Sequence, residues 1–278
     1  MNRFSNSWKL FKSAAAVLAA DRELLIFPIL SSVGIILVSL SFAVPMFLSN
    51  YFDSIFSKES GIAGLIVAFA FYLVQYLVIF YSNTALVGAA MIRLEGGDPT
   101  VRDGFRIANS RFGAIFGYAL IAATVGVILK ALSNRKGTAH VIGSVAGMAW
   151  NIATYLVVPV LAVEGVSPTA AIKRSVTLLK KTWGEQLIGN FGLGLIFGLA
   201  TFIVIILGVM AAILAIKAQS VIAIVAAILV VLVILAFLGL AQGCLNGIYT
   251  AAVYQYASSG KSSNFFDPAM VQEAFSKQ

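Results

Sequence analysis

Glu95-Gly96-Gly97-Asp98-Pro99-Thr100 returns as Glu164-Gly165-Val166-Ser167-Pro168-Thr169, with the Glu, first Gly, Pro and Thr unchanged at an offset of 69 residues. Beyond it, Val101, Phe105, Ala108 and Phe112 correspond to Ile172, Val176, Leu179 and Trp183 at an offset of 71, so a two-residue slip separates the copies. The same i, i+4, i+7, i+11 spacing opens the chain at Phe4, Trp8, Phe11 and Ala15. Self-similarity is read first, because a missed repeat misassigns the whole fold. Each copy is a short basic stretch followed by two long apolar runs. The expected fold is therefore an all-α, polytopic transmembrane helical bundle of six spans, built from three parallel repeats of one amphipathic helix and two spans.

Composition agrees with a membrane location. The 278 residues are 60% hydrophobic and only 11% charged, against roughly 25% charged in an ordinary soluble domain. About 20 apolar residues cross a hydrocarbon core of about 30 Å. Six runs reach that length: Leu24 to Leu48, Ile62 to Ile92, Phe112 to Leu132, Val141 to Val163, Leu187 to Ile216 and Ser220 to Tyr256. The second and sixth exceed one crossing, so each is expected to tilt, kink or emerge from the bilayer as a helix. One integral membrane domain is expected over 1–278, with repeat units of about 1–97, 98–166 and 167–260 and a short cytoplasmic tail over 261–278. The first span begins at residue 24 and is longer than the roughly 7–15-residue apolar core of a signal peptide. Its retention is expected.

The 19 Lys and Arg residues divide fourteen to five between the two sides that six spans create. Short cytoplasmic loops retain such residues, so both termini are expected in the cytoplasm of a cell whose inner membrane holds the chain. The loop with Lys130, Arg135 and Lys136 runs against the trend. The net charge of +8 is what this topology produces beside apolar spans, and nucleic acid is not an expected partner.

Within the repeats, Phe4, Trp8, Phe11, Ala15 and Leu18 are expected to face the membrane interface while Lys9 and Lys12 face water. Asp98 with Pro99, and Ser167 with Pro168, read as an N-cap followed by proline at the first helical position. On those helices Arg102, Arg106 and Arg111, then Lys173, Arg174, Lys180 and Lys181, point away from the apolar stripe. With Lys9 and Lys12 they are the candidate contacts to anionic phospholipid headgroups, each contributing about 1 kcal/mol before screening. The returning spans end alike, with Asn83, Asn151 and Asn246 each about 14 residues before Gly96, Gly165 and Gly260. Together with Asn190 these asparagines are the candidate intramembrane polar residues; they serve either as interhelical hydrogen-bonding groups or as the lining of a polar path. Glu95 and Glu164, at span ends, read as ion-paired or hydrogen-bonded turns.

Glycines at four-residue spacing, among them Gly113 and Gly117, Gly143 and Gly147, and Gly239, Gly243 and Gly247, permit close helix packing within the bundle or between copies in a homo-oligomer. The chain has one cysteine, Cys244, and one histidine, His140. A zinc site or a Ser-His-Asp triad would have to be built around that single histidine. No catalytic constellation, cofactor motif or metal-ligand set emerges, and no charged residue lies near the centre of a span, where ion-coupled carriers commonly place one.

The run from Phe4 through Trp8-Lys9-Leu10-Phe11-Lys12 to Asp21-Arg22-Glu23-Leu24-Leu25-Ile26-Phe27-Pro28, with the closing Tyr254-Gln255-Tyr256-Ala257-Ser258-Ser259-Gly260, resembles a prokaryotic family of six-span membrane proteins of unknown function. More distantly, the layout is similar to the membrane domain associated with some glycerophosphodiester phosphodiesterases, without their catalytic barrel or its acidic metal ligands. Neither resemblance brings functional residues with it. The expected role is that of a non-enzymatic integral membrane protein whose basic interfacial helices engage the cytoplasmic leaflet, as a membrane scaffold. The alternative is a permease or channel-like transporter of a small or amphiphilic solute.

Overall fold

The computed structural model describes residues 3–48, 61–133, 138–183, 192–260 and 263–266. All regular structure among them is helical: α1 (Arg3–Ala20), a 3-10 turn (Arg22–Leu25), α2 (Ile26–Leu48), α3 (Gly61–Leu94), α4 (Val101–Ser110), α5 (Phe112–Ser133), α6 (Thr138–Ala153), α7 (Val157–Glu164), α8 (Pro168–Trp183), α9 (Gly192–Lys217) and α10 (Val221–Ser259). Among the described residues six helical stretches are long and apolar enough to cross a membrane, α6 and α7 counting as one. The fold is the expected polytopic helical bundle.

The second and sixth spans are longer than a bilayer requires, and this excess is where the core forms. α3 has 34 residues and α10 has 39, so they are about 51 and 58 Å long against a hydrocarbon core of about 30 Å. The first half of α10 is exposed, with Val221 73% and Phe237 71% accessible, whereas most of it from Cys244 onward is buried, without a break from Ile248 to Tyr254. α3 is likewise buried from Thr84 to Met91. These ends meet α7 in one apolar core that includes Leu86, Ala90, Leu156, Val160, Ile248 and Ala251. The three short helices wrap it: α1 packs on α9 and α10, α4 on α3, and α8 on α7. We call this end of the bundle the basic end. Elsewhere the exposed residues are large and apolar, Ile36, Phe47, Ile62, Phe202 and Leu214 among them, as a lipid-facing surface requires.

Two local differences from the sequence reading have physical causes. The fourth span is not one helix: it breaks at Thr154–Leu156 between α6 and α7. Pro159 lacks an N–H and its ring crowds the carbonyl four residues back, at Tyr155. Ser175 in α8 covers the break, its Oγ accepting the Leu156 N–H at 3.1 Å. The second difference is the cap of α4. The helix begins at Val101 with Thr100, not Asp98, as N-cap. Thr100 and Asp103 form a reciprocal capping box, satisfying two backbone donors where Asp98 could satisfy one. The matched helix α8 does start at its proline, with Ser167 Oγ 3.4 Å from the Ala170 nitrogen.

In α1 the buried stripe is Leu10, Ala14 and Val17, turned slightly from the expected face. Phe11, Ala15 and Leu18 are half-buried, and Trp8 is 42% exposed at the rim. The fifth span is helical from Gly192; its expected start at Leu187 lies outside the described residues. So do Asn190 and the tail beyond Phe266.

Candidate functional site

The polar groups of the basic end gather in two clusters. The first joins the start of the chain to the turn after α3. Arg93, in the last turn of α3, lies 3.4 Å from the buried carboxylate of Asp21 and also pairs with Asp98. Burial raises the Asp21 carboxyl above its ordinary range, and the Arg93 guanidinium pulls it back down. Glu23 accepts the N–H of Val101 at 3.2 Å, placing a carboxylate at the start of α4 where the exposed donors and helix dipole favour one. Within the capping box the Thr100 hydroxyl and backbone N–H donate to Asp103, which holds that carboxyl below its ordinary range; Arg106, at 2.7 Å, adds to the effect.

The second cluster joins α7, α8 and α10. Glu164 Oε1 accepts from Arg174 Nε at 2.9 Å and from the Tyr254 hydroxyl at 3.0 Å. The carboxylate stabilises the Arg174 cation, raising its pKa further. The next residue, Gly165, has φ +61°, and a Cβ built there would strike the Arg111 guanidinium. A left-handed residue without a side chain is thus required twice, by the turn and by its neighbour. Arg111 itself is half-buried, and its Nε has no hydrogen-bond partner among the described residues.

The residues expected to touch headgroups take different positions. Arg102, Arg106, Lys173, Arg174 and Lys180 are exposed, Lys9 is half-buried, and Lys181 lies in α8. Lys12 is exposed and sits 5.7 Å from the centre of the Trp8 ring, a cation–π contact. Arg106 and Arg174 are engaged by Asp103 and Glu164. Of the two charged turns read from sequence, Glu164 has its partners, whereas Glu95 is exposed and has no ion pair among the described residues.

The asparagines do not converge. Asn83 is half-buried, and Asn151 and Asn246 are exposed. Asn151 lines a cavity of about 460 Å³ between α5 and α6, with Leu129, Ser133, Gly143, Ser144 and Gly147; neither Asn83 nor Asn246 belongs to it. Among the described residues an intramembrane amide that does form a specific contact is Gln75, whose Nε2 donates to Ser39 Oγ at 2.9 Å between α3 and α2.

Sequence reasoning missed the pairing of Asp21 with Arg93 and the roles of Glu23, Ser175 and Tyr254. Their partners lie 72, 78, 19 and 90 residues away, and no local pattern signals such contacts. Chemically, the basic end offers fixed cations, capped helix starts and committed carboxylates. Among the described residues no three of His, Cys, Asp or Glu gather as a metal site.

No curated protein matches the chain. Residues 62–265, from the start of α3 through the end of α10, match the family of unknown function DUF6159, and the chain belongs to that family.

Proposed function

We propose that this is a non-enzymatic integral protein of the inner membrane. Three amphipathic helices form a rigid basic platform on its cytoplasmic leaflet, engaging anionic phospholipid headgroups and serving as a scaffold. The observation that carries the reading is the arrangement of the basic end. α1, α4 and α8 bury their apolar sides in one core while Lys12, Arg102, Lys173 and Lys180 stay exposed. Exposed cations held at the edge of an apolar bundle attract an anionic surface, each by about 1 kcal/mol. Both termini then face the cytoplasm, as the distribution of Lys and Arg favours.

Three parallel repeats underlie the platform in this reading. Supporting them, the positive-φ glycines among the described residues are Gly96, Gly165 and Gly260, at the ends of the three returning helices. Each short helix also packs on the returning helix of the preceding unit: α4 on α3, α8 on α7, and α1 on α10. The last of these contacts closes the ring. Gly239 and Gly113, with open space around them, are the positions through which a second copy would pack.

The competing reading is a permease, and the cavity between α5 and α6 speaks for it. Against it, that cavity reaches one of the three asparagines, and the meeting point of α3, α7 and α10 is filled by Leu86, Leu156, Val160 and Ile248.

The test is reconstitution of the full chain into bilayers of phosphatidylglycerol and phosphatidylcholine. The lipid retained around it should be enriched in phosphatidylglycerol at low salt, and enrichment should fall with salt and on joint replacement of Lys12, Arg102, Lys173 and Lys180 by Gln. Equal retention of both lipids would overturn the platform.

A further inference from the structure

We propose that Arg111 is a discrete binding site for one phosphate oxyanion, distinct in kind from the diffuse field of exposed lysines and arginines around it. The proposal rests on the membrane-platform reading above and names a specific ligand group within it.

The argument begins with a comparison of arginines. Among the described residues two arginine side chains of the basic end are half-buried, Arg93 and Arg111. Arg93 holds two carboxylates, Asp21 and Asp98. Arg111 holds none, and its Nε–H is shut off from solvent without an acceptor among the described residues. A guanidinium is always charged and presents its donors in a planar fork; one held half-buried without a carboxylate favours an anionic partner that its open donors can reach. The carboxylates around the site are already committed. Glu164, next to the glycine beneath Arg111, is engaged by Arg174 and Tyr254, and Asp103 is engaged by Thr100 and Arg106.

Depth identifies the missing partner. Arg111 ends α4 and immediately precedes the span Phe112–Ser133. Phe112 and Phe116, on the first turns of that span, are 48% and 38% exposed and so face lipid. The guanidinium therefore sits where apolar surface gives way to charge, at the level of phospholipid phosphates. With Nε sealed, the open end of the fork is its two Nη groups, and a phosphate oxyanion accepts from both, as bidentate Arg–phosphate pairs do. Gly165 makes room for the guanidinium itself: any side chain there would displace it.

The phosphate belongs either to a phospholipid headgroup or to a free ion, and one experiment separates them. The full chain is released from mixed phosphatidylglycerol and phosphatidylcholine bilayers and its bound lipid counted by native mass spectrometry, with and without added inorganic phosphate. Wild type should retain one phosphatidylglycerol through the salt that strips the rest. Arg111→Gln should weaken that retention about tenfold, the loss of one strong charge-assisted contact, and Arg111→Lys should restore it in part. Lys130→Gln, on the opposite end of α5, should change nothing. Displacement by inorganic phosphate would make the free ion the occupant; resistance to it would make the headgroup the occupant. Arg111→Gln protein that melts like wild type and retains the lipid equally would overturn the site. That result would leave the platform standing, because salt-sensitive enrichment of the surrounding lipid is read in the same spectra.

Discussion

Tyr254, near the end of α10, donates its hydroxyl to Glu164, at the end of α7, across a 3.0 Å hydrogen bond. The same carboxylate oxygen holds Arg174 of α8, so one atom ties together three helices of the basic end. Replacing Tyr254 with Phe removes one donor and leaves the ion pair. The expected loss is about 1 kcal/mol, read as a lowered melting temperature in detergent. Removing the carboxylate with Glu164→Ala leaves both donors without their acceptor and should cost more than Tyr254→Phe. Equal melting of the two variants would show that the carboxylate does not hold the helices.

Gly104 tests how tightly α4 is seated on α3. A Cβ at this position would lie 2.7 Å from the Ala85 carbonyl oxygen and also meet the Phe27 ring. The backbone cannot yield as a flexible side chain would. Gly104→Ala is therefore expected to destabilise by about 1–3 kcal/mol. Gly198→Ala, on the exposed side of α9 with nothing within 4 Å of the added methyl, should be neutral or stabilise by up to about 1 kcal/mol through helix propensity. Thermal melting of the pair in one detergent separates the two expectations; a stable Gly104→Ala protein would refute the close seating.

The two carboxylates of the first cluster carry opposite pH signatures. Asp103 is held below its ordinary value of 3.8, so the folded state binds its proton less readily than the unfolded state. Its contribution is complete above 3.8 and is lost as pH falls through the lowered value. Thr100→Ala removes the hydroxyl that is the main donor to it, and with it the N-cap, costing about 1 kcal/mol, and should flatten the acid side of the stability curve. Unchanged acid dependence in that variant would show that the capping box does not set the Asp103 pKa.

Asp21 runs the other way. Burial raises its carboxyl above 3.8, so the folded state binds the proton more readily, and stability falls as pH rises through the raised value. Arg93 opposes that rise. Arg93→Gln removes the opposing charge, so the variant should lose about 2–3 kcal/mol near neutrality and regain part of it on mild acidification. Melting temperature followed across that pH range reads both effects. A variant no less stable than wild type, with a flat profile, would show that Asp21 does not depend on Arg93.

The legible and illegible parts of this chain differ in range. Hydropathy is local and strong, so the spans were readable, as were Gly96, Gly165 and Gly260, because a helix that must stop leaves a residue only glycine tolerates well. Asp98 was misread because proline at the first helical position and a Thr-x-x-Asp capping box compete over the same few residues, and the box satisfies more donors. The break before α7 was marked by Pro159, but the group that makes it tolerable, Ser175, belongs to another helix. Arg111 was picked out as one cation among nine. What sets it apart, a sealed Nε above a side-chain-free Gly165, exists only once two distant turns meet.

Orientation is open to a direct test, because the single cysteine is buried. Cys244 is buried in the core, out of reach of a reagent in water, so it adds little background to labelling in intact membranes. Single cysteines placed at Ser258, exposed just beyond the α10 core, and at His140, exposed at the start of α6, sit at opposite ends of the bundle. If the basic end faces the cytoplasm, a membrane-impermeant maleimide should label His140→Cys in intact cells and Ser258→Cys only after the membrane is opened. The helices fix the two sites on opposite sides, so a reversed pattern would invert the whole topology. It would also place Arg102, Lys173 and Lys180 against the outer leaflet, and with them the platform.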